Sequence, residues 1–311
     1  MQIFITGATG VLGRPTVREL VANGHQVRAL ARSEANFALL RELGAEPISC
    51  DLFDPPSLVA AVRGCQAIAH LATKIPPTAQ LGRRSAWRET DRIRHEGTSD
   101  LVDAALAEGV ACMVYPSICF LYPDSGAAWI DASTCSEPVV VDYYRTTLDA
   151  EGEVRRFVAA GGRGVVLRMG FFYGPESPQS RDQLRLARWG VASVPGRPDA
   201  YHPFVAIADA ARAVVAALEQ APGGTFDIAE DDPPTTTEIN TAMAHAAGRQ
   251  RARSLPEPLV RMAMGSDILD AMGRSQRVSN RRFKDAAGWA PAIGTKSGGW
   301  ASVAETLRRS A

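Results

Sequence analysis

The sequence has few cysteines and few lysines, and both shortages narrow the possible functions. Its five cysteines contain no CxxC pair and leave one odd, which argues against a disulfide framework and against a zinc site. Lysine occurs only at Lys74, Lys284 and Lys296, so the basic residues are almost all arginine. The N-terminus lacks the basic residues of a signal peptide, and no apolar run reaches about 18 residues. The expected compartment is therefore the cytoplasm.

The sequence also lacks an excess of charge of either sign. Lys and Arg number 34, as do Asp and Glu, so the formal net charge is zero. A nucleic-acid-binding protein normally has a basic excess, and no charge bias points to an anionic membrane. The 311 residues are 46% hydrophobic and 22% charged, as in a globular protein of about two domains or one elaborated α/β core. We therefore expect a small-molecule substrate, with neither nucleic acid nor a membrane as partner.

Strand and helix patterns alternate along the first 170 residues. Six short apolar runs predict strands, at 2–6, 26–31, 45–50, 67–72, 111–117 and 164–169. Periodic apolar positions between these runs predict helices, one of them long and spanning roughly 86–108. This alternation is typical of an α/β fold with a doubly wound parallel sheet, the Rossmann arrangement.

The rhythm loosens after about residue 170, where Pro and Gly cluster between shorter helical segments. One further helix and strand, in the range 204–230, are typical of additions to the sheet. We assign 1–170 and 204–230 to a dinucleotide-binding domain. The remaining segments, 171–203 and 231–311, are assigned to a smaller substrate-binding cap.

A glycine-rich turn follows the first predicted strand. Within residues 7–13, Gly7 would allow a tight turn, Gly10 would let the backbone approach a pyrophosphate, and Gly13 would bring the helix close to the strand. Free N–H groups at the start of the helix favour a bound anion there. A plain glycine-rich turn is the alternative, but this spacing at the first strand-to-helix junction favours a dinucleotide. The predicted contacts are Gly7, Thr9, Gly10, Val11, Leu12 and Gly13.

The end of the second predicted strand indicates which dinucleotide binds. An NAD site usually has an acidic residue at this point, whereas this sequence has Ala31 followed by Arg32. Arg32, helped by Ser33 or Arg28, could pair with a 2′-phosphate through its planar guanidinium. The predicted cofactor is therefore NADP(H) rather than NAD(H). The alternative is that Arg32 is a solvated residue at the end of the strand and that Arg28 faces solvent.

Longer segments extend these signals over nearly the whole chain. They are TGATGVLG, residues 50–73, LRMGFFYGP at 167–175, residues 202–219, residues 226–239, and GWAP at 288–291. Together they resemble the short-chain dehydrogenase/reductase superfamily, in its extended branch, the NAD(P)-dependent epimerase/dehydratase family. The resemblance implies that Asp51 bonds the adenine amino group with Leu52 beside the ring. It also implies that Ala72 and Thr73 line the ribose–nicotinamide side.

The catalytic Tyr-x-x-x-Lys pair of that family is altered here. Tyr143 takes the tyrosine position and Thr147 stands where lysine is expected, while Tyr144 fits less well because Leu148 lies four residues on. The resemblance implies that Tyr143 faces the nicotinamide and exchanges a proton with the substrate oxygen. A threonine hydroxyl could still bond the ribose but brings no charge. An ordinary phenol has a pKa of about 10, so at neutral pH it can donate a proton but is a poor base. The missing lysine would therefore impair alcohol oxidation more than carbonyl reduction.

The other two catalytic positions of the family also differ. A Ser or Thr is expected four residues before a tyrosine, and counting back from Tyr122 gives Ile118. Ser117 reaches that position only if the loop shifts by one residue. The fourth position, usually Asn, aligns with Arg94. We take Tyr143, Ser117 and Thr147 as the candidate catalytic residues of an atypical family member.

The favoured function is NADPH-dependent reduction of a carbonyl on a small, natural-product-like substrate, with Tyr143 as proton donor. The missing lysine leaves two alternatives open. One is a redox-silent NADP-binding regulator, and the other is a non-redox lyase, epimerase or cyclase with new acid–base groups. The candidate groups for the second alternative, each also explicable as an ordinary loop residue, are His202, Lys74, Asp131 and Glu137.

Several large apolar residues allow two interpretations. Phe171, Phe172 and Trp189 would suit an aromatic substrate, although a place in the core is the favoured interpretation. The family resemblance implies a homodimer formed through the long helix and the helix that carries Tyr143. In that arrangement Trp87 and Ile93 would belong to the interface.

Overall fold

A computed structural model describes residues 1–135, 138–139, 141–255 and 257–309. Within these ranges the chain forms thirteen strands: β1 (Gln2–Thr6), β2 (Gln26–Ala31), β3 (Glu46–Ser49), β4 (Ala67–His70), β5 (Cys112–Ile118), β6 (Trp129–Ile130), β7 (Arg163–Met169), β8 (Phe171–Tyr173), β9 (Val191–Ala192), β10 (Phe204–Ala206), β11 (Gly224–Ile228), β12 (Arg253–Ser254) and β13 (Arg277–Val278).

The same ranges contain thirteen α-helices: α1 (Gly13–Ala22), α2 (Glu34–Glu42), α3 (Pro55–Val62), α4 (Arg88–Arg92), α5 (Thr98–Ala107), α6 (Arg145–Ala159), α7 (Pro178–Arg188), α8 (Ile207–Glu219), α9 (Thr236–Ala246), α10 (Glu257–Met264), α11 (Ser266–Met272), α12 (Arg281–Ala287) and α13 (Gly299–Arg309). None of these helices is both long and apolar enough to cross a membrane.

Seven parallel strands form the central sheet, in the order β11-β7-β5-β4-β1-β2-β3. Its strands are apolar on both faces because helices cover both: Ile3 and Ile5 pack on one face and Phe4 on the other. The predicted α/β fold with a doubly wound parallel sheet is therefore confirmed. The strand order reverses between β1 and β4, and ligands of such sheets bind at the carboxyl ends of the strands beside that reversal.

The predicted long helix at 86–108 is divided into several pieces. A 3₁₀ turn at Arg84–Trp87 leads into α4, and a π-helical turn at Ile93–Gly97 separates α4 from α5. Trp87 and Ile93 are 2% and 7% exposed, because they pack inside the chain's own core. The prediction that these two residues form a dimer surface is therefore wrong.

The segments outside the sheet make several short strand pairs and a second core. β8 pairs with β10, β9 with β12, and β6 with β13. Tyr173, Phe204 and Trp300 are the large side chains of this core, to which α7, α9 and α13 contribute. Helix α9 starts with a capping box in which Thr235 and Glu238 satisfy each other's backbone N–H groups. The division into two domains stays a prediction.

Asp227 of β11 ties the segment after β5 to the sheet. Its carboxylate accepts hydrogen bonds from the Tyr122 hydroxyl and, at 2.8 Å, from the backbone N–H of Ala132. Burial raises the pKa of Asp227 to about 7. Burial likewise raises the pKa of Glu230, which accepts from the Thr295 N–H, to about 7.

These two carboxyls predict how stability depends on pH. Their folded pKa values lie above the unfolded values of about 4, so the folded state holds protons that the unfolded state releases between about pH 4 and 7. Both groups therefore make the free energy of unfolding fall as the pH rises through that window. Asp227→Asn and Glu230→Gln should each flatten the fall, as measured by urea unfolding at a series of pH values. A variant with the wild-type slope would contradict the assignment for its residue.

Candidate functional site

Two glycines of the first turn are required by close backbone contacts. Gly7 has φ +70°, and a Cβ there would lie 2.6 Å from the backbone of Leu71 and Ala72. A Cβ on Gly13 would lie 2.1 Å from the Gly7 carbonyl oxygen. Gly10 differs, since its Cβ would meet only that carbonyl oxygen, at 3.1 Å, and otherwise open space. The turn therefore needs Gly7 and Gly13 for its fold, whereas the missing side chain of Gly10 leaves open space beside the turn.

At the start of α1 the Arg14 N–H donates to the Gly10 carbonyl at 3.1 Å, whereas the N–H groups of residues 11–13 have no acceptor among the described residues. Leu12 is the N-cap residue, no side chain caps the helix, and its first turn has no acidic residue. The Nε of Arg14 in this turn is buried without a hydrogen-bond partner. Helix N-termini with free N–H groups bind phosphates, and an unpaired buried guanidinium nitrogen adds a donor. These residues fit a dinucleotide diphosphate.

A buried chain of polar side chains fixes the floor of the crevice between β1 and β4. The Oγ1 of Thr6 lies 2.6 Å from Nδ1 of His70, and Nε2 of the same ring lies 3.1 Å from Oγ1 of Thr98 in α5. The N–H of Ala72 donates to Thr6 Oγ1 at 3.4 Å. Burial lowers the pKa of His70 to about 4, so the ring is neutral at physiological pH. These hydrogen-bonded side chains connect the ends of β1 and β4 to the start of α5.

The carboxyl end of β2 presents one free cation. Arg32 is exposed and has no hydrogen-bond or ion-pair partner within the described ranges. Ser33 instead caps α2, with its hydroxyl accepting from the Asn36 N–H at 3.3 Å. Arg28 donates to Glu46 at 3.1 Å and to a backbone carbonyl at 2.9 Å, so its predicted help at a 2′-phosphate is not available in this structure.

The segment after β3 holds the two residues predicted to contact the adenine. Asp51 is exposed, and its Oδ1 accepts from the Phe53 N–H at 3.0 Å. Leu52 is buried against Gly97, where a Cβ on the glycine would lie 2.7 Å from the leucine side chain. Thr73 is exposed just after β4. Their contacts with a dinucleotide stay predictions.

Tyr143 lies in a 3₁₀ turn just before α6. Its hydroxyl donates to the carbonyl oxygen of Gly82 at 3.0 Å. The ring packs edge-on against Trp87, with centroids 5.7 Å apart, and the Arg84 guanidinium lies 5.8 Å from its centroid. The tyrosine therefore faces the 78–87 segment in this structure.

Ser117, near the end of β5, is part of a buried hydrogen-bond network. Its hydroxyl donates to Glu151 of α6 at 2.5 Å, and Arg168 of β7 donates to both oxygens of that carboxylate at 3.0 and 2.9 Å. All three side chains are at least nine-tenths buried. Ser117 can bind a substrate oxygen only if it leaves Glu151. Its catalytic role stays a prediction.

Thr147 and Arg94 are buried polar residues, each with one atom that lacks a hydrogen-bond partner. The Oγ1 of Thr147 and the Nη1 of Arg94 have none among the described residues, and the two side chains are 0% and 6% exposed. Burial raises the pKa values of Tyr115 and Tyr144 to about 12. The positive charge of Arg94 opposes that rise for both phenols, and a side-chain hydrogen bond from Arg94 also opposes it for Tyr115. Arg94 therefore lies near both phenols.

Aromatic side chains gather beside the carboxyl end of β5. This aromatic cluster consists of Trp87, Phe120, Tyr143 and Tyr144, with Ile118 partly buried against it. Ile268 and Ala271 of α11 close it on one side. The sequence did not predict the cluster, because its members come from separate segments and share no periodic pattern.

A cleft of about 490 Å³ lies on the other side of α11. It is lined by residues 192–197 and by parts of α10 and α11, with Arg197, Arg274 and Asp124 at its edge. Arg274 donates to the carbonyls of Phe120 and Tyr122, which joins the cleft to the segment after β5. The aromatic cluster and the cleft are thus neighbours.

The remaining candidate groups do not converge on this region. His202 is buried and bonds Thr236 at 2.8 Å, Lys74 is exposed, and Asp131 bonds within its own turn. Glu137 lies outside the described residues. Within those residues, no group of three His, Cys, Asp or Glu side chains is placed to hold a metal ion.

The large apolar residues of uncertain place divide between core and surface. Phe171 packs against Phe120 and Phe204, with centroids 4.1 and 5.2 Å apart, and Phe172 packs against the main core. Trp189 is 82% exposed, so the preference for a core position was wrong for that residue.

Comparison with known proteins agrees with the glycine turn and the sheet. The model of the NAD dependent epimerase/dehydratase family matches residues 3–229. The chain belongs to this family. Its members use a nicotinamide dinucleotide, which fits the crevice between β1 and β4 described above.

Relatives of this epimerase/dehydratase chain include reductases. A 3-diazoavenalumate denitrifying reductase of a Streptomyces species is 30% identical over 307 residues, covering 94% of this chain and 96% of that protein. A 2-alkyl-3-oxoalkanoate reductase of Shewanella oneidensis is 28% identical, covering 76% and 63%. Among solved structures, a human epimerase family protein with NADPH is similar in fold, with TM-score 0.79, 22% identity, and coverage of 99% and 100%.

Substitutions in the glycine turn should separate its fold from its ligand. Gly10→Ala should leave the fold intact, since its Cβ has one contact, but should weaken dinucleotide binding by about tenfold or more through lost phosphate hydrogen bonds. Gly13→Ala should lower the unfolding temperature, because the Gly7 carbonyl must move. Thermal unfolding and NADPH fluorescence titration measure the two effects.

The matched control is Gly152→Ala in α6, whose Cβ would lie 3.5 Å from Arg155, an ordinary contact. It should change neither binding nor stability adversely. Unimpaired binding by Gly10→Ala would mean that the turn does not hold the diphosphate.

Proposed function

We propose that this protein is an NADPH-dependent reductase that acts on a carbonyl group of a small, largely apolar substrate. The observation that carries the proposal is the aromatic cluster, which places Tyr143 beside the carboxyl end of β5. The two relatives described above are named reductases, one of them for 2-alkyl-3-oxoalkanoates. Phe120 and Tyr143 are the partly exposed aromatics of this cluster, and such side chains favour apolar or aromatic substrates because contact with them buries apolar surface.

The proposed reaction follows from two features, the phenol of Tyr143 and the threonine at position 147 where the family has a lysine. When bound, NADPH supplies the hydride to the carbonyl carbon. Tyr143 leaves the Gly82 carbonyl and donates its proton to the substrate oxygen, and water then reprotonates the phenolate. Ser117, once released from Glu151, orients the same oxygen. A phenol without a neighbouring ammonium donates a proton more readily than it removes one at neutral pH, which favours reduction over alcohol oxidation.

The proposed coenzyme is NADP(H), because Arg32 is a free cation at the end of β2 and no acidic residue takes that place. The cytoplasm is the proposed compartment, since five cysteines without a CxxC pair suit a reducing environment.

A redox-silent dinucleotide-binding protein is the second candidate function. The observation that favours it is that the hydroxyls of Tyr143 and Ser117 are both bonded to the protein itself. This candidate predicts NADPH binding with no change in absorbance at 340 nm for any substrate.

Tyr143→Phe tests the proposed reaction. With NADPH and a panel of ketones and aldehydes, kcat should fall by about a hundredfold or more, because the proton donor is lost. The dissociation constant of NADPH should not change. Tyr201→Phe, at a tyrosine outside the aromatic cluster, should behave as wild type. A larger loss in Tyr144→Phe than in Tyr143→Phe would assign the donor to Tyr144 instead, and no turnover by wild type would favour the redox-silent candidate.

Arg32→Ala tests the choice of coenzyme. The variant should bind NADPH at least about tenfold more weakly, because a charge-assisted bond to the 2′-phosphate is lost, and should bind NADH unchanged. Isothermal titration with both coenzymes measures the effect. The control is Arg63→Ala, at an arginine that follows α3 and pairs with Glu108 after α5. Equal NADH and NADPH affinities in wild type would contradict the assignment.

A further inference from the structure

The π-helical turn at Ile93–Gly97 carries a buried charge that the proposed reaction does not use. Arg94 is 6% exposed, its Nη1 has no hydrogen-bond partner, and no carboxylate pairs with it within the described ranges. A buried guanidinium is unfavourable when it has no counter-ion and one of its nitrogens lacks a hydrogen-bond acceptor. A ligand that brings oxygen lone pairs to this place would relieve that penalty.

The place of Arg94 follows from an anchored neighbour. Thr98, at the start of α5, bonds His70, the last residue of β4. The helix that leads from β4 back to β5 begins at the carboxyl edge of the sheet, because the two strands are parallel. Arg94 lies four residues before Thr98, about one helical turn nearer that edge.

The same geometry applies to α6. Glu151 bonds Ser117, the penultimate residue of β5, and α6 also begins at the carboxyl edge. Thr147 lies four residues before Glu151, again about one turn nearer the edge. Its Oγ1 is buried without a partner, as is the Nη1 of Arg94.

Two contacts hold the facing helical segments together around these residues. The Oγ1 of Thr146 donates to Asp91 at 2.9 Å, and His95 lies 3.3 Å from Asp149. Arg94 lies between Asp91 and His95 in the chain, and its guanidinium is near the phenols of Tyr115 and Tyr144. The unpartnered groups of Arg94 and Thr147 therefore belong to one region, beyond the ends of β4 and β5.

We propose that Arg94 holds the ribose of the nicotinamide half of the dinucleotide, by donating hydrogen bonds from its guanidinium to the ribose hydroxyls. The proposal rests on the dinucleotide binding of the proposed function. With the diphosphate at the glycine turn beside β1, the nicotinamide half extends over β4 and β5, where Arg94 is placed. Ribose hydroxyls supply the lone pairs that the Nη1 of Arg94 lacks.

The proposal also accounts for the residue at position 147. A lysine there would bring a second cation into the same buried region, where like charges repel strongly. Threonine is short and uncharged, so it leaves the guanidinium room. The positive charge of this region thus comes from the π-helical turn and not from α6.

The test compares two ligands that differ only beyond the diphosphate. ADP ends at the diphosphate, whereas ADP-ribose also has the second ribose but no nicotinamide. If the wild-type protein prefers NADPH, the 2′-phosphorylated forms of both ligands are used. Isothermal titration gives the gain in affinity due to that ribose. Arg94→Met should reduce this gain by about tenfold or more and leave the affinity for the ADP form unchanged. Arg94→Lys should retain part of the gain.

Arg92→Met, an exposed arginine two residues earlier that pairs with Glu96, is the matched control and should keep the full gain. An equal loss for both ligands in Arg94→Met, or no loss, would overturn the proposal. If Arg94→Met does not fold, the double variant Arg94→Asn, Thr147→Lys replaces it. We expect the double variant to show the gain in affinity due to the second ribose, and the absence of that gain would contradict the proposal. These titrations measure binding and not turnover. If the protein shows the gain due to the second ribose but reduces no carbonyl in the separate activity assay, only the proposed function is disproved.

Discussion

The close contact between the first turn of α1 and the carbonyl of Gly7 is the constraint on which the rest of the site depends. Only a hydrogen at Gly13 permits it, since a Cβ would lie 2.1 Å from that oxygen. The contact brings the N-terminus of α1, with the free N–H groups of residues 11–13, to the crevice between β1 and β4. Backbone groups can therefore bind a diphosphate, and a chain of zero net charge with three lysines needs no basic patch.

Buried polar networks below the crevice hold the surrounding helices in place. Thr6, His70 and Thr98 join two strand ends to α5, while Glu151 joins β5 and β7 to α6. Such networks are strong in a low-dielectric interior only when their members are satisfied. Ser117 shows the consequence, because the bond that fixes α6 also occupies the hydroxyl that catalysis would need.

The region above these networks combines apolar walls with an unsatisfied charge. Trp87, Phe120 and the two neighbouring tyrosines enclose the end of β5, and α11 separates them from the cleft. Arg94 stands behind them without a carboxylate partner among the described residues. A substrate that is mostly apolar, together with a coenzyme that supplies oxygen atoms to the guanidinium, would satisfy both features.

Much of the fold could be predicted from the sequence because it depends on short-range patterns. The predicted strands at 2–6 and 26–31 have the same bounds in the structure, and the other four predicted strands differ by one or two residues at an end. The glycine spacing also follows from neighbouring residues. The π-helical turn could not be predicted, since it alters the register inside a helix without a change in apolar pattern.

The chemistry of individual side chains depended instead on partners distant in the chain. Arg28 donates to Glu46 and to the backbone carbonyl of Arg63. Ser117 is bonded to a glutamate 34 residues away, and Tyr143 to a carbonyl 61 residues away. Local periodicity and glycine geometry are properties of adjacent residues, so the amino-acid order alone specifies the sheet and the dinucleotide turn. Whether a hydroxyl or a guanidinium is free depends on what packs against it, and only the folded chain decides that.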